Sequence, residues 1–408
     1  MNTLRLPDAA GQLLPSIVTS PGIGLYLHIP FCTAKCGYCD FNSYAGHEHM
    51  IPSYAGTIVK DAKLWTEAVR GRAIETVFFG GGTPSLNPVE EMAAILSGLR
   101  DTFDFAPNAE ISMEANPGSL SADYLRGMRA IGLNRLSIGV QSFDDEELVM
   151  LDRVHTADEA RQAFAAARAA GFDNVNLDFI YGLPEQPLAA WQRTLEQALA
   201  LAPEHLSLYA LTVEDGTPLA RDVKRGRVPA PDADMQAEHY EWTEQRLARA
   251  GYEHYEISNW ARPGRQCRHN LVYWQNHEYL GLGAGAHSFL NGVRFSTVLL
   301  PNRYVELVDE SVAAGDGSLR HVHGAEEITP ELSIADTLIL GLRLNDGIDL
   351  AAFASRYGRG LDDVHGALIA EFTGYGLLER TATHLRLTPR GRLLSNELFQ
   401  RLLPEPVA

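Results

Sequence analysis

GLYLHIPFCTAKCGYCD, residues 24–40, joins a short apolar run to three closely spaced cysteines. The run GLYLHI predicts a buried β-strand. The loop that follows it carries Cys32, Cys36 and Cys39 in the spacing C-x3-C-x2-C, and the whole chain of 408 residues contains four cysteines. In a reducing compartment, clustered cysteines are more often metal ligands or redox groups than structural disulfides. The stretch therefore predicts a metal site directly after the first strand.

Five further apolar runs alternate with longer helical patterns: ETVFFG (75–80), AEISME (109–114), NRLSIGVQ (134–141), NVNLDFIYG (174–182) and HLSLYALTV (205–213). This alternation predicts an α/β fold with βα units on a parallel sheet. Six units within residues 24–213 suit a partial (β/α)6, TIM-like barrel better than a closed barrel of eight strands. Polar or glycine-rich clusters follow the runs: HIPFC, GGGTPS, EANPGS, QSF and DFIYGLP. Since the carboxyl ends of barrel strands carry the active site, we expect these clusters to meet on one rim.

The pattern changes twice after the sixth run. A passage with prolines and charged residues is typical of a linker. Near Leu332 a different pattern begins, which predicts three helices, a strand, a turn, a second strand and a final helix. We predict an N-terminal tail (1–20), a barrel core (21–230), a connecting segment (231–325) and a mainly helical, winged-helix-like C-terminal domain (326–408). On an acidic chain, a packing role for this last domain is favoured over DNA binding.

Composition narrows the class of protein. Lys and Arg number 34 against 52 Asp and Glu, a net charge of −18, which disfavours a nucleic-acid-binding surface. No apolar run approaches the roughly 18 to 20 residues of a membrane helix, and the first 20 residues lack a signal-peptide pattern. We therefore expect a soluble, cytoplasmic protein that does not bind nucleic acid.

The cysteine triplet has two chemical interpretations. Three thiolates can hold three irons of a 4Fe-4S cubane and leave the fourth iron without a protein ligand, open to a substrate. The alternative is a zinc site completed by His28, His47 or His49. It is weaker, because structural zinc usually pairs C-x2-C with a second, distant pair of ligands.

The motif resembles the radical S-adenosylmethionine (SAM) superfamily, in which the open iron binds the amino and carboxylate groups of SAM. The resemblance extends over most of the chain to the subgroup that contains oxygen-independent coproporphyrinogen III oxidase and the haem chaperone HemW. It implies a SAM site at Tyr26, Tyr38, Gly81, Gly82, Thr83, Glu114, Gln141, Arg153 and Asp178. The chemistry of these residues is suitable, because glycines let backbone approach a ligand, carboxylates accept from ammonium or hydroxyl groups, and arginine grips a carboxylate.

Two features discriminate within the subgroup. The oxidases have a further cysteine two residues after the third, and here Phe41 occupies that position. In addition, His269, Asn270, Tyr273 and Trp274 form H-N-x-x-Y-W, which resembles the HemW signature linked to haem binding. An imidazole is a common axial ligand of haem iron, and Tyr and Trp present flat faces to a porphyrin. For these residues alone, a hydrogen-bonded loop histidine and core aromatics remain the alternative.

The leading hypothesis is therefore a protein that binds a 4Fe-4S cluster, SAM and haem, and that carries haem to acceptor haemoproteins, respiratory and membrane-bound ones being the first candidates. The alternative is an enzyme that oxidatively decarboxylates coproporphyrinogen III, and a third hypothesis is a zinc-stapled barrel. The sequence is compatible with a homodimer and with transient association with the membrane. It assigns no role to Cys267 or His287.

Overall fold

A computed structural model describes residues 22–404, so the predicted N-terminal tail lies outside the described residues. The described strands, in chain order, are β1 Gly22–Ile29, β2 Phe31–Cys32, β3 Tyr44–Ala45, β4 Ala73–Gly81, β5 Phe105–Ala115, β6 Arg135–Gln141, β7 Val175–Tyr181, β8 His205–Ala210, β9 Glu253–Glu256, β10 Asn259–Ala261, β11 Tyr279–Leu282, β12 His287–Leu290, β13 Val293–Thr297, β14 Val322–Glu327, β15 Ile348–Asp349, β16 Leu378–Arg380 and β17 His384–Leu387. All six predicted runs are strands, which confirms that part of the analysis.

The described helices, again in chain order, are α1 Ile51–Leu64, α2 Thr66–Val69, α3 Val89–Thr102, α4 Ala122–Ile131, α5 Asp145–Met150, α6 Ala157–Ala169, α7 Leu188–Leu201, α8 Pro218–Lys224, α9 Ala233–Arg249, α10 Arg268–Trp274, α11 Pro301–Ala314, α12 Pro330–Gly341, α13 Leu350–Tyr357, α14 Leu361–Gly374, α15 Pro389–Leu393 and α16 Ser395–Leu402. Side chains cap the N-termini of several of these helices. Thr156 and Glu159 form a capping box at α6, and the Ser121 side chain accepts from the Tyr124 backbone N–H at α4. Within the described residues, no helix is both long and apolar enough to cross a membrane.

The six predicted strands are neighbours in one parallel sheet, in the order β1, β4, β5, β6, β7, β8. Their side chains alternate between two faces. One face is apolar and buried, as in Leu25, Val77 and Leu177, and belongs to the main hydrophobic core. The other face carries polar side chains such as Glu114 and Asp178. The α/β barrel-type core is therefore confirmed, with a polar inner face.

Residues beyond the sixth strand extend this sheet at both edges. β10 and β9 add to β8 in antiparallel fashion, whereas β11 adds to β1 in parallel and continues into the antiparallel strands β12, β13 and β14. The sequence analysis did not predict these strands, since each has three to six residues and lacks a distinct apolar run.

The C-terminal part is mainly helical and has its own core. Helices α12, α13 and α14 are followed by the small sheet β15-β17-β16 and by α15 and α16, and a separate cluster of buried apolar side chains lies among them. This arrangement confirms the predicted winged-helix-like pattern. The part contacts the barrel through hydrogen bonds, among them the Asn345 N–H to the Tyr255 carbonyl (3.0 Å) and Arg356 to the Asn276 carbonyl (3.1 Å), and through a small apolar cluster in which Leu332 of α12 packs near Phe289 of β12.

Candidate functional site

A cavity of about 400 Å³ lies at the carboxyl ends of the parallel strands. It is lined by the three clustered cysteines and by most of the residues that the sequence assigned to SAM: Cys32, Cys36, Cys39, Tyr38, Gly81, Gly82, Thr83, Glu114, Gln141, Arg153 and Asp178. The carboxyl-terminal ends of β1, β4, β5, β6 and β7, with the segments that follow some of them, thus meet on one rim. Tyr26 is the predicted SAM residue that does not line the cavity.

The cysteine loop forms one wall of the cavity. The Thr83 hydroxyl donates to Cys32 Sγ and the Arg153 guanidinium donates to Cys36 Sγ, both at 3.5 Å. Burial raises the pKa of the Cys32 and Cys39 thiols. Since metals take thiolates, metal binding here would release protons. Donors aimed at sulfur favour the thiolate form that a metal takes.

The donor set fits a cubane better than one zinc ion. A cubane takes each thiolate on a different iron, so the three sulfur atoms need not meet at one point. Among residues 22–404, no three His, Cys, Asp or Glu side chains stand close enough to hold a single metal ion. Of the histidines considered for zinc, His28 uses both ring nitrogens in hydrogen bonds, to the Tyr26 hydroxyl (3.0 Å) and the Asn42 carbonyl (2.8 Å). His47 and His49 are exposed and stack on each other.

Backbone contact joins the GGGTPS loop to the cysteine loop. The N–H groups of Gly82 and Thr83 donate to the carbonyls of Ile29 and Phe31, both at 2.8 Å. A Cβ atom at Gly82 would lie 2.6 Å from the Phe31 carbonyl oxygen. Only glycine allows this approach, so Gly82 is explained by contact between loops without any ligand.

Asn42 is a structural residue of the site that the sequence analysis missed. Its amide nitrogen donates to the carbonyls of Ala284 and Leu299, at 3.0 and 2.9 Å. The Tyr54 hydroxyl, from α1, accepts from the Ala284 N–H (2.7 Å) and donates to the His28 carbonyl (2.9 Å). The glycine-rich loop LGLGAGAH therefore supports the end of β1 and the cysteine loop. The signal in the sequence is the glycine run itself.

Two carboxylates face the cavity from β5 and β7, the strands on either side of β6. Glu114 accepts from the Gly81 N–H (3.1 Å), and burial, with a contribution from the Asp178 charge, raises the pKa of Glu114 to about 8. Asp178 accepts from the Ser137 hydroxyl (3.0 Å) and the Asn176 amide (2.7 Å), and burial raises its pKa although these bonds oppose the shift. Such perturbed carboxyls suit a site that takes a cationic or hydroxyl-bearing ligand.

Arg153 crosses from the cysteine loop to the end of β6. Its guanidinium, which donates to Cys36, also donates to the Gly139 carbonyl at 2.9 Å. Gln141 ends the same strand with φ of +67°, in the left-handed region that few non-glycine residues adopt. Backbone in that region is typical of functional sites, where the surrounding structure holds it.

The H-N-x-x-Y-W segment lies apart from the cavity. His269, on α10, is 1% exposed, and its ring nitrogens bond the Thr76 hydroxyl (2.7 Å) and the Tyr273 hydroxyl (2.9 Å). Burial lowers the pKa of His269 to about 3. Trp274 faces the Arg343 guanidinium, 4.8 Å from the ring centre. Asn270, also on α10, is partly exposed.

The Glu110 carboxylate anchors the start of α10. It accepts from the backbone N–H groups of Arg268 and His269, both at 3.3 Å, and from the buried Cys267 thiol at 3.7 Å. Burial raises the pKa of Cys267 to about 12, so the thiol is neutral. His287, at the start of β12, is exposed.

Comparison with known proteins agrees with this geometry. Residues 26–198 match the Radical SAM superfamily and residues 328–394 match the HemN C-terminal domain. A protein from Mycobacterium tuberculosis named heme chaperone HemW is 40% identical over 403 residues, which cover 96% of this chain and 97% of that protein. The Escherichia coli protein of the same name is 36% identical over 392 residues, 95% of this chain and 100% of that protein. The chain belongs to the HemW family of radical SAM proteins.

The solved structure of coproporphyrinogen III oxidase (HemN) from Escherichia coli, described as a radical SAM enzyme, superposes on this HemW-family chain with a TM-score of 0.80. The two are 25% identical, and the match covers 95% of this chain and 92% of that one. Membership of the radical SAM superfamily implies a 4Fe-4S cluster and SAM. When bound, the cluster supplies an electron and an open iron position, and Cys32, Cys36 and Cys39 are the residues that would hold it.

Proposed function

We propose that this protein is a haem chaperone, which binds haem, a 4Fe-4S cluster and SAM and transfers haem to acceptor haemoproteins. The observation that carries the proposal is the similarity, over nearly the whole chain, to proteins named heme chaperone HemW. This similarity includes both the barrel and the C-terminal part. We further propose that it works in the cytoplasm, with membrane-bound respiratory haemoproteins among its acceptors.

Apolar side chains at the mouth of the cavity favour the binding of a large apolar ligand there. One of them, Phe41, stands where the oxidases have a further cysteine. Phe41, in the position where the oxidases have cysteine, is 61% exposed on the rim. Val154 and Tyr209, at 64% and 44% exposure, line the same mouth. Exposed apolar side chains gathered at a cavity are typical of a binding surface.

The SAM contacts are proposals of the same kind. Glu114, Gln141, Arg153 and Asp178 are polar and line the same cavity as the cysteine loop. We propose that they hold the amino-acid and ribose groups of SAM, and that the GGGTPS loop takes its methionine end. Tyr26, behind the cavity wall, would act through His28, to which its hydroxyl donates.

For the haem ligand, His269 remains the candidate, supported by Tyr273, Asn270 and Trp274. Since both ring nitrogens of His269 are hydrogen-bonded, ligation of iron requires it to release Thr76 or Tyr273. We therefore expect haem uptake to be slow compared with diffusion and to perturb the fluorescence of Trp274, which shares α10 with His269.

The test is a haem titration of anaerobically reconstituted protein, with iron and sulfide analysis of the same sample. We expect stoichiometric haem uptake, and a loss of at least about tenfold in affinity in the His269→Ala, Tyr273→Ala double variant, as for removal of an axial ligand and its hydrogen-bond partner. The matched control is His239→Ala with Tyr240→Ala, an adjacent buried His-Tyr pair on α9. No haem uptake would contradict the function, and uptake unchanged in the double variant would contradict the site.

The second candidate function, coproporphyrinogen III oxidation, is favoured by the superposition on HemN. It predicts that the reconstituted protein, given coproporphyrinogen III, SAM and a reductant, forms protoporphyrinogen IX. We expect no product from the wild type, because Phe41 replaces the oxidase cysteine. Product formation would replace the haem-chaperone proposal.

A further inference from the structure

A chain of buried hydrogen bonds runs from the cavity into the interior of the barrel behind Asp178. The first link is Asn176, two residues earlier on the same face of β7 and 1% exposed. Its amide nitrogen donates to Asp178 Oδ1 and to the Ser137 hydroxyl, both at 2.7 Å. The Ser137 hydroxyl donates in turn to Asp178 Oδ2 at 3.0 Å. Both carboxylate oxygens are therefore held from behind.

His205 fixes the orientation of that amide. Both amide hydrogens of Asn176 are used, so its Oδ1 must accept, and His205 Nδ1 lies 2.6 Å away. His205 is fully buried on β8 and neutral, because burial lowers its pKa well below the ordinary value. With the proton on Nδ1, its Nε2 accepts from the Tyr255 hydroxyl at 2.8 Å. With Asp178 ionised, every donor in this chain then has one acceptor.

We propose that Asn176 and His205 are positioning residues for Asp178, and that they turn its free lone pairs toward hydroxyl or ammonium groups of SAM in the cavity. The inference rests on the proposed SAM site, because it assigns to this network the orientation of one of that site's carboxylates. A hydrogen bond to a charged group contributes more than one between neutral groups, so loss of the Asn176 bond should be measurable in ligand affinity.

The network also sets the charge of Asp178. The charged and titratable groups around this carboxyl are Glu114 on β5, Arg135 on β6 and Tyr209 on β8, whereas His205 acts on it only through Asn176. Burial raises the pKa of Asp178, and the hydrogen bonds from Ser137, Ser207 and Asn176 oppose that shift. Without the Asn176 bond, Asp178 would take up its proton at higher pH. A variant of Asn176 should therefore lose SAM affinity at a higher pH than the wild type does as pH falls.

The experiment measures SAM dissociation constants by equilibrium dialysis between pH 6 and 9 on anaerobically reconstituted protein. For Asn176→Leu and His205→Phe, we expect affinity about tenfold weaker at neutral pH and a pH midpoint shifted upward from that of the wild type. Asn176→Ser, which is smaller and remains polar, should show the same upward shift and serves if the leucine variant does not fold. The control is His239→Phe, since His239 is also fully buried but, within the described residues, its ring nitrogens have no hydrogen-bond partner.

The Asp178→Asn variant distinguishes failure of the proposed SAM site from failure of the positioning role of Asn176 and His205. If it weakens SAM binding while the Asn176 and His205 variants keep wild-type affinity and pH midpoint, the positioning role is wrong and the SAM site stands. If Asp178→Asn binds SAM as the wild type does, or if the wild type with its cluster binds no SAM, the premise fails and the positioning role falls with it. A shift of equal size in His239→Phe would also overturn the inference.

Discussion

Glu114 shows how the fold alters a single residue. Because burial raises the pKa of Glu114 to about 8, the folded protein keeps its proton where the unfolded chain has lost it. Its ionisation therefore costs stability as pH rises from the ordinary carboxyl pKa to about 8, and the full cost applies above that value. Glu114→Gln, measured without cofactors by urea unfolding, should be more stable than the wild type at pH 9 by on the order of 2 to 4 kcal/mol and nearly equal to it at pH 5.

The control for this prediction is Glu379→Gln, because Glu379 lies exposed on β16. We expect the free energy of unfolding of this variant to differ from that of the wild type by the same amount at pH 5 and at pH 9. If the difference in free energy of unfolding between Glu114→Gln and the wild type stays constant from pH 5 to pH 9, the pKa of Glu114 is not raised in the folded protein.

At the scale of elements, the cavity depends on two loops that contact each other through backbone. Gly82→Ala would place a methyl group 2.6 Å from the Phe31 carbonyl, beside Cys32, so the GGGTPS loop must move away. We expect a loss of about 1 to 3 kcal/mol in the free energy of unfolding, as for other overpacked sites. We also expect less iron per chain after reconstitution, since the moved loop no longer holds the cysteine loop.

Gly118→Ala is the matched control, because Gly118 lies in the loop after the next strand and an added Cβ there meets no atom within 4 Å. It should keep wild-type stability and iron content. Wild-type iron content in Gly82→Ala would show that the close approach of the two loops is not required for the cluster.

On the scale of the whole molecule, two separate hydrophobic cores are joined by polar contacts and by one small apolar cluster, which predicts separate unfolding steps. All five tryptophans precede residue 328, so their fluorescence reports on the barrel, whereas circular dichroism reports on both parts. Since the C-terminal core is much the smaller, we expect circular dichroism to show a first step, at low urea, in which most tryptophan fluorescence is unchanged.

Trp274 is the exception, because it faces Arg343 of the C-terminal part. Trp274→Phe should therefore remove any fluorescence change in the first step and leave the second step in place. Coincident curves from the two methods at every urea concentration would show that the molecule unfolds as one unit.

Patterns that are local in the chain were sufficient for the fold class and for many of the residues that line the cavity. The spacing of Cys32, Cys36 and Cys39, the six strands and the polar residues at their carboxyl ends could all be read from neighbouring residues, because strand periodicity and ligand spacing are properties of short segments. Parallel strands then bring their carboxyl ends together by geometry alone. The presence of Phe41 in place of cysteine is likewise a local fact.

Other features depend on which segments become neighbours. β11 lies beside β1 although β10, shortly before it in the chain, lies at the opposite edge. For the same reason, the partners of Asn42 and Asp178 come from distant segments or from unremarkable strand positions such as Asn176. The motif around His269 identified α10 as unusual, but burial against Thr76 and Tyr273 is a result of tertiary packing. Spacing along the chain established which groups the protein carries, whereas hydrogen-bond partners and burial, which require residues from separate strands, were settled only by the folded structure.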